Sequence, residues 1–188
     1  MSSTIHQLTQ MNKPAMAIAE DLVEKEYKNL KNTTDFSEVE KKFRWLNITV
    51  VNTSVSSSKY FLEMHSQDLK SGQIWNTPNE SIKPGKSCNF YTCTSSFMAG
   101  CTGVITWQVR HKDGRPGGYV IFSFSNPAVG NIKAAVSHIY KYKVEKEYCD
   151  EQYDVMEGVD VTKHARVAVY QTKEKHLVVV FKDDDQRW

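Results

Sequence analysis

Two hydrophobic periods divide the chain. From Pro14 to Lys31 the apolar residues recur with a helical period. Ala15, Ile18, Ala19, Leu22, Val23, Tyr27 and Leu30 gather on one side, while Glu20, Asp21, Glu24, Lys25, Lys28 and Lys31 take the other. Pro14 suits the first turn of such a helix. Glu26 falls inside the apolar stripe. The same stripe serves a helix packed on a sheet and a helix lying in a membrane interface. Asn32-Thr33-Thr34-Asp35 breaks the pattern, and Phe36 to Phe43 reads equally as a further helical turn or a short strand.

From Arg44 the period becomes two. Leu46, Ile48 and Val50 alternate with Trp45, Asn47, Thr49 and Val51, a polar turn follows, and Tyr60 to His65 makes a second strand, so the pair predicts a hairpin. Ser66 to Pro84 is rich in loop-forming residues, with a short strand at Ile74-Trp75, and Ser87 to Thr92 is strand-like. The strongest alternation lies between Cys101 and Pro127. Cys101, Gly103, Ile105, Trp107 and Val109 share one face of the first run, and Val120, Phe122 and Phe124 one face of the second. A Gly/Pro/Asp turn joins them, so the unit predicts a β-hairpin. The second run is apolar on both faces, which predicts a central strand of a sandwich. Its polar exit, Ser125-Asn126-Pro127, is a place to look for a site.

Ala134 to Tyr142 alternates again, Glu145 to Met156 reads as a helix bounded by Gly158, and Ala165 to Tyr170 with Leu177 to Phe181 predicts a closing hairpin. The expected fold is therefore mainly β, a compact β-sandwich flanked by two α-helices. Residues 1–35 form an N-terminal segment carrying the amphipathic helix, and 36–188 the sandwich domain, together one globular unit.

Composition changes this picture little. A net charge of +2 over 188 residues gives no footprint for nucleic acid. No apolar run reaches transmembrane length. The charged first segment is no signal-peptide core, which predicts a cytoplasmic chain with free thiols; a leader removed upstream would make it secreted instead. Only then do the sequons at Asn32, Asn47, Asn52 and Asn79 matter. Cys88, Cys93 and Cys101 fit no standard zinc spacing, and Cys149 stands far from them, so no metal or cofactor is expected. Nucleophile elbows, zinc-protease motifs and phosphate-binding glycine loops are absent, and the six histidines are scattered. Binding, rather than catalysis, is the expected class.

The order of several pieces carries a resemblance. Ile82-Lys83-Pro84-Gly85-Lys86, then Ala99-Gly100-Cys101-Thr102-Gly103-Val104-Ile105-Thr106-Trp107, then Tyr119-Val120-Ile121-Phe122-Ser123 resembles the signature of the actinoporin and actinoporin-like proteins, over roughly residues 44 to 182. The resemblance implies a β-sandwich that binds phosphocholine headgroups, above all sphingomyelin. It further implies assembly into a homo-oligomer and insertion of the N-terminal helix, through Ala15, Ile18, Leu22 and Val23, to make a pore. Carried over by position, the headgroup site comprises Val104, Ser123 and Pro127, with Tyr148 and Tyr153 of the late helix and Ser66 after the second strand. Tyrosine rings attract a quaternary ammonium by about 0.5–2 kcal/mol, and a serine hydroxyl can donate to a phosphate.

The chain also departs from that pattern. Ser125 stands where the family has proline, with Pro127 two residues later, and the following loop, residues 128–135, has none of the family's aromatic residues. Interfacial Trp and Tyr anchor proteins at headgroup depth, so weaker or different bilayer binding is expected there. Two alternatives stay open: a carbohydrate-binding module on the sandwich of fungal fruit-body lectins, and a non-lytic intracellular interaction protein.

Overall fold

The computed structural model describes residues 21–25, 28–29, 34–54, 60–76, 78, 80–139, 153–154, 158–161, 165–173 and 175–183. Among these, twelve strands form two six-stranded sheets. The first sheet contains β1 (Arg44–Asn52), β3 (Gln73–Trp75), β5 (Lys86–Thr94), β10 (Gly158–Val161), β11 (Ala165–Lys173) and β12 (His176–Asp183), in the order β10-β11-β12-β1-β5-β3. The second contains β2 (Tyr60–Ser71), β4 (Ser81–Ile82), β6 (Cys101–His111), β7 (Pro116–Asn126), β8 (Lys133–Ile139) and β9 (Tyr153–Asp154), in the order β4-β2-β6-β7-β8-β9.

The alternation of the sequence becomes the sandwich core. Leu46, Ile48 and Val50 of β1, Phe90 of β5, and Leu177, Val179 and Phe181 of β12 meet Ile105, Trp107, Val120, Phe122 and Phe124 from the second sheet in one buried cluster. The predicted central hairpin is present as β6–β7, with Ile105 opposite Phe122 and Trp107 opposite Val120. The closing hairpin is β11–β12. The strand β7 is buried on both faces, as its sequence predicts: Phe122 and Phe124 face the other sheet, and Ile121 and Ser123 are sealed on the opposite side.

Three expectations are corrected. The strands β1 and β2 do not form a hairpin. Each belongs to a different sheet, β1 pairing with β5 and, in parallel, with β12, while β2 pairs with β6 and β4. Nor does β2 stop at His65. Irregularities at Met64/Ser66 and Leu69/Ser71 let it follow β6 as far as Ser71, and such bulges break the simple alternation that marks a strand. The late segment read as a helix contains a strand: Tyr153 and Asp154 pair with Ala134 and Lys133 of β8. Tertiary pairing overrides the local preference of this tyrosine- and glutamate-rich stretch. Residues 145–152 lie outside the described residues.

Residues 21–25 and 28–29 are helical. Val23 is buried, Asp21, Glu24, Lys25 and Lys28 are exposed, and Lys28 pairs with Glu24 at 2.8 Å one turn earlier. This is the amphipathic pattern expected there; Ala15, Ile18 and Glu26 lie outside the described residues. A separate helix, α1 (Thr34–Glu40), follows. Thr34 and Asp35 are therefore helical rather than helix-breaking, and the ambiguous start at Phe36 resolves as helix. Through Val39, α1 packs on Tyr91 and Cys93, on the side of the first sheet turned away from the core. No described helix is long and apolar enough to cross a membrane.

Two of the sequons are closed to glycans by the fold. Asn47 and Asn52 are buried in β1. The Asn52 amide donates to the Ile82 carbonyl at 3.2 Å, and its oxygen accepts the Ser54 N–H at 3.1 Å.

The β6–β7 turn is pinned by charge. Gly114, with φ near 86°, supplies the left-handed position that side chains disfavour. Asp113 accepts from Arg115 Nε at 2.8 Å and from the Arg115 backbone N–H at 3.1 Å, and lies 2.7 Å from His111 Nδ1. The Arg115 side chain above all holds the Asp113 carboxyl well below the usual carboxylate range. A carboxylate depressed in the folded state stabilises above its unfolded pKa, about 3.9, and loses that effect as pH falls towards its folded value. The stability difference between the wild type and Asp113→Asn is thus expected at pH 7 and should shrink below about pH 4, as urea titrations across that range would read. A gap that stays constant with pH would refute this role for Asp113.

Candidate binding site

The exit of β7 forms a depression at one end of the sandwich. Ser125, Pro127, Val129, Gly130, Asn131 and Lys133 line a cavity of about 450 Å³. The sequence builds it in steps. Ser125 is the last outward-facing hydroxyl of β7, and its Oγ lies 2.8 Å from Thr102 Oγ1 across the ladder. Asn126 turns inward and donates to the Trp45 carbonyl at 3.0 Å, tying the exit of β7 to the start of β1. Pro127 ends the strand, Gly130 takes φ near 106° to turn the loop, and Lys133 re-enters the sheet opposite Ser125.

The proposed headgroup residues distribute unevenly about this cavity. Pro127 lines it. Val104 and Ser123 are direct cross-strand partners on the face of the sheet that also carries Thr102 and Ser125. Both are closed off, at 0% and 1% exposure, and the Ser123 hydroxyl has no hydrogen-bond partner among the described residues. A buried hydroxyl left unpaired costs about 1–3 kcal/mol. Ser66 lies in β2 rather than in a loop and pairs with Thr106. Tyr153 pairs with Ala134 of β8, whereas Ser123 pairs with the next residue, Ala135. Tyr148 lies outside the described residues, as do Ala15 and Ile18 of the helix.

Apolar residues that sequence reasoning passed over surround the same end. Phe43, between α1 and β1, and Phe97 and Met98, between β5 and β6, are exposed, as is Val129 beside the cavity. The rings of Phe43 and Phe97 meet edge to face at 5.7 Å. Arg44 laces the loops together. Its guanidinium donates to the Ala128 carbonyl at 2.6 Å and to the Phe43 carbonyl at 3.2 Å. Gly100 lies against the β7 exit so closely that an added Cβ would stand 2.5 Å from the Asn126 carbonyl oxygen and 2.8 Å from Pro127 Cα. The sequence signal was present, since Phe97-Met98 is an apolar pair in a loop opened by two serines, but only the fold brings it beside Phe43 and Val129.

Cys88, Cys93 and Cys101 are buried and outside any disulfide, and burial pushes the Cys101 thiol up to about 11. Among the described residues, no group of three or more His, Cys, Asp or Glu side chains could hold a metal ion.

No family model matches the sequence. An uncharacterized protein of Dictyostelium discoideum is 29% identical over 103 residues, which cover 55% of this chain and 9% of that protein. The chain thus spans about a tenth of the length of that relative. Among solved structures, the crystal structure of the lipid binding protein Nakanori superimposes with a TM-score of 0.62, covering 90% of this chain and 85% of that one at 14% identity. At that identity the likeness is one of fold. This chain shares its two-sheet sandwich with a lipid binding protein.

Proposed function

We propose that the chain is a lipid-binding protein that takes a phosphate-bearing headgroup at the end of β7. The observation that carries this reading is the cavity at the strand exit, which Ser125 and Lys133 line together with apolar Pro127 and Val129. A hydroxyl and an ammonium suit a phosphodiester, and the apolar wall suits the carbons beside it. The shared fold of a lipid binding protein and the ordered sequence resemblance support the same class. Phosphocholine, with sphingomyelin first among its carriers, is the headgroup we assign. Tyr148 and Tyr153 are the aromatic candidates for its ammonium, and Val104, Ser123 and Ser66 the further candidates that the resemblance carries over. Assembly on the membrane and insertion of the N-terminal helix would extend binding to pore formation. We read the chain as a binding protein rather than an enzyme.

Flotation with sphingomyelin/phosphatidylcholine vesicles tests this directly. The wild type is expected to rise with the vesicles. Ser125→Ala combined with Lys133→Gln should weaken binding about tenfold or more, because a hydrogen bond to a charged group is worth about 1.5–3 kcal/mol. A double variant that binds like the wild type would remove the cavity from the site. Release of an entrapped dye separates pore formation from binding alone.

A further inference from the structure

We infer that the apolar residues Phe43, Phe97, Met98 and Val129 are the bilayer anchor of this chain, supplying from three loops the hydrophobic contact that the non-aromatic loop after β7 lacks. This inference rests on the lipid-binding reading and extends it from the headgroup to the membrane surface.

Exposure carries the first part of the argument. Phe97 is 68%, Met98 80% and Val129 91% exposed, and Phe43 is 56% exposed. Single exposed apolar residues are ordinary, but several converging at one end mark an interaction surface. They converge here through named contacts. Phe43 and Phe97 meet ring to ring, Arg44 joins Phe43 to Ala128, and the glycine after Met98-Ala99 sits on the backbone of Asn126 and Pro127. The tips are thus held together by a fixed base.

Charge selects the occupant. The loops bearing these tips are bordered by Lys41, Lys42, Arg44 and Lys133, and Lys175 lies 4.9 Å above the ring of Trp45, next in the chain to Arg44. The carboxylates nearest in sequence, Glu38 and Glu40, belong to α1, and Glu38 is paired with Lys41 at 2.6 Å. Apolar tips flanked in the chain by cations fit a bilayer, in which acyl carbon lies beneath a plane of phosphates. The cavity beside Val129 would then open at headgroup depth.

The test compares the wild type with Phe97→Ser/Met98→Ser in flotation on phosphatidylcholine/sphingomyelin vesicles, with and without phosphatidylserine, and in sedimentation without lipid. Both positions are exposed, so thermal unfolding should be unchanged. The expected result is a partition coefficient lowered roughly 10- to 100-fold on every composition. The cavity variant at Ser125 and Lys133 should instead alter preference among headgroups. If Phe97→Ser/Met98→Ser floats as well as the wild type, the anchor is overturned while headgroup binding stands. If the wild type floats on no vesicle, both readings fall. A wild-type dimer that this variant dissociates would then give the surface to a second copy of the chain.

Discussion

Replacing Trp107 by alanine is expected to lower the unfolding free energy by about 3–5 kcal/mol. In a chain of this size that should appear as a Tm lower by roughly 6–20 °C. Trp107 is fully buried and, among the described residues, the largest side chain so enclosed. It stands mid-strand in β6 opposite Val120, within the cluster that joins both sheets. Removing it opens a cavity bounded by strands on both sides, which cannot collapse without shifting a ladder. The phenylalanine variant should behave differently. The Trp107 Nε1–H has no hydrogen-bond partner among the described residues, so Trp107→Phe removes ring volume and an unpaired donor together, and the two effects oppose. Circular-dichroism melts of the two variants would check both. An alanine variant within about 1 kcal/mol of the wild type would mean that the core does not close around this residue.

The second large effect belongs to Gly100. An alanine Cβ there would press on the Asn126 carbonyl oxygen and Pro127 Cα, both backbone atoms of the β7 exit. Backbone cannot swing aside as a flexible side chain does. Gly100→Ala should therefore cost about 1–3 kcal/mol through overpacking. It should also push the Phe97-Met98 loop away from the cavity, so vesicle binding falls together with stability. A variant that keeps full stability would show the contact to be looser than described. One that loses stability but binds lipid unchanged would separate the loop from the site.

The contrast between Trp107 and Gly100 shows where sequence reading works. The β6–β7 hairpin was legible because its residues alternate without interruption and its partner strand is local. Val104 and Ser123 entered only through the family resemblance, and it is the fold that sets them opposite each other. What failed was whatever depended on distant pairing. β2 looked like a short strand followed by a loop because two bulges break its period, and only β6 keeps it extended. Tyr153 looked helical because its neighbours are good helix formers, whereas β8 offers it a free edge. The apolar end was invisible for a further reason. Phe43 and Phe97 lie in connections that no periodicity rule describes, and their contact is made only when β1 and β5 pair side by side.

The parallel pairing of β1 with β12 has a consequence in time. Val50 of the first strand hydrogen-bonds beside Val179 of the last, at the middle of a sheet rather than at its edge. Contacts so distant in sequence carry a large loop-closure cost and form slowly. While β6 and β7 can fold on each other early, β1 keeps one side unsatisfied until the final hairpin arrives. During synthesis, the half of the sandwich beneath α1 therefore stays open longest, an apolar strand edge waiting for β12.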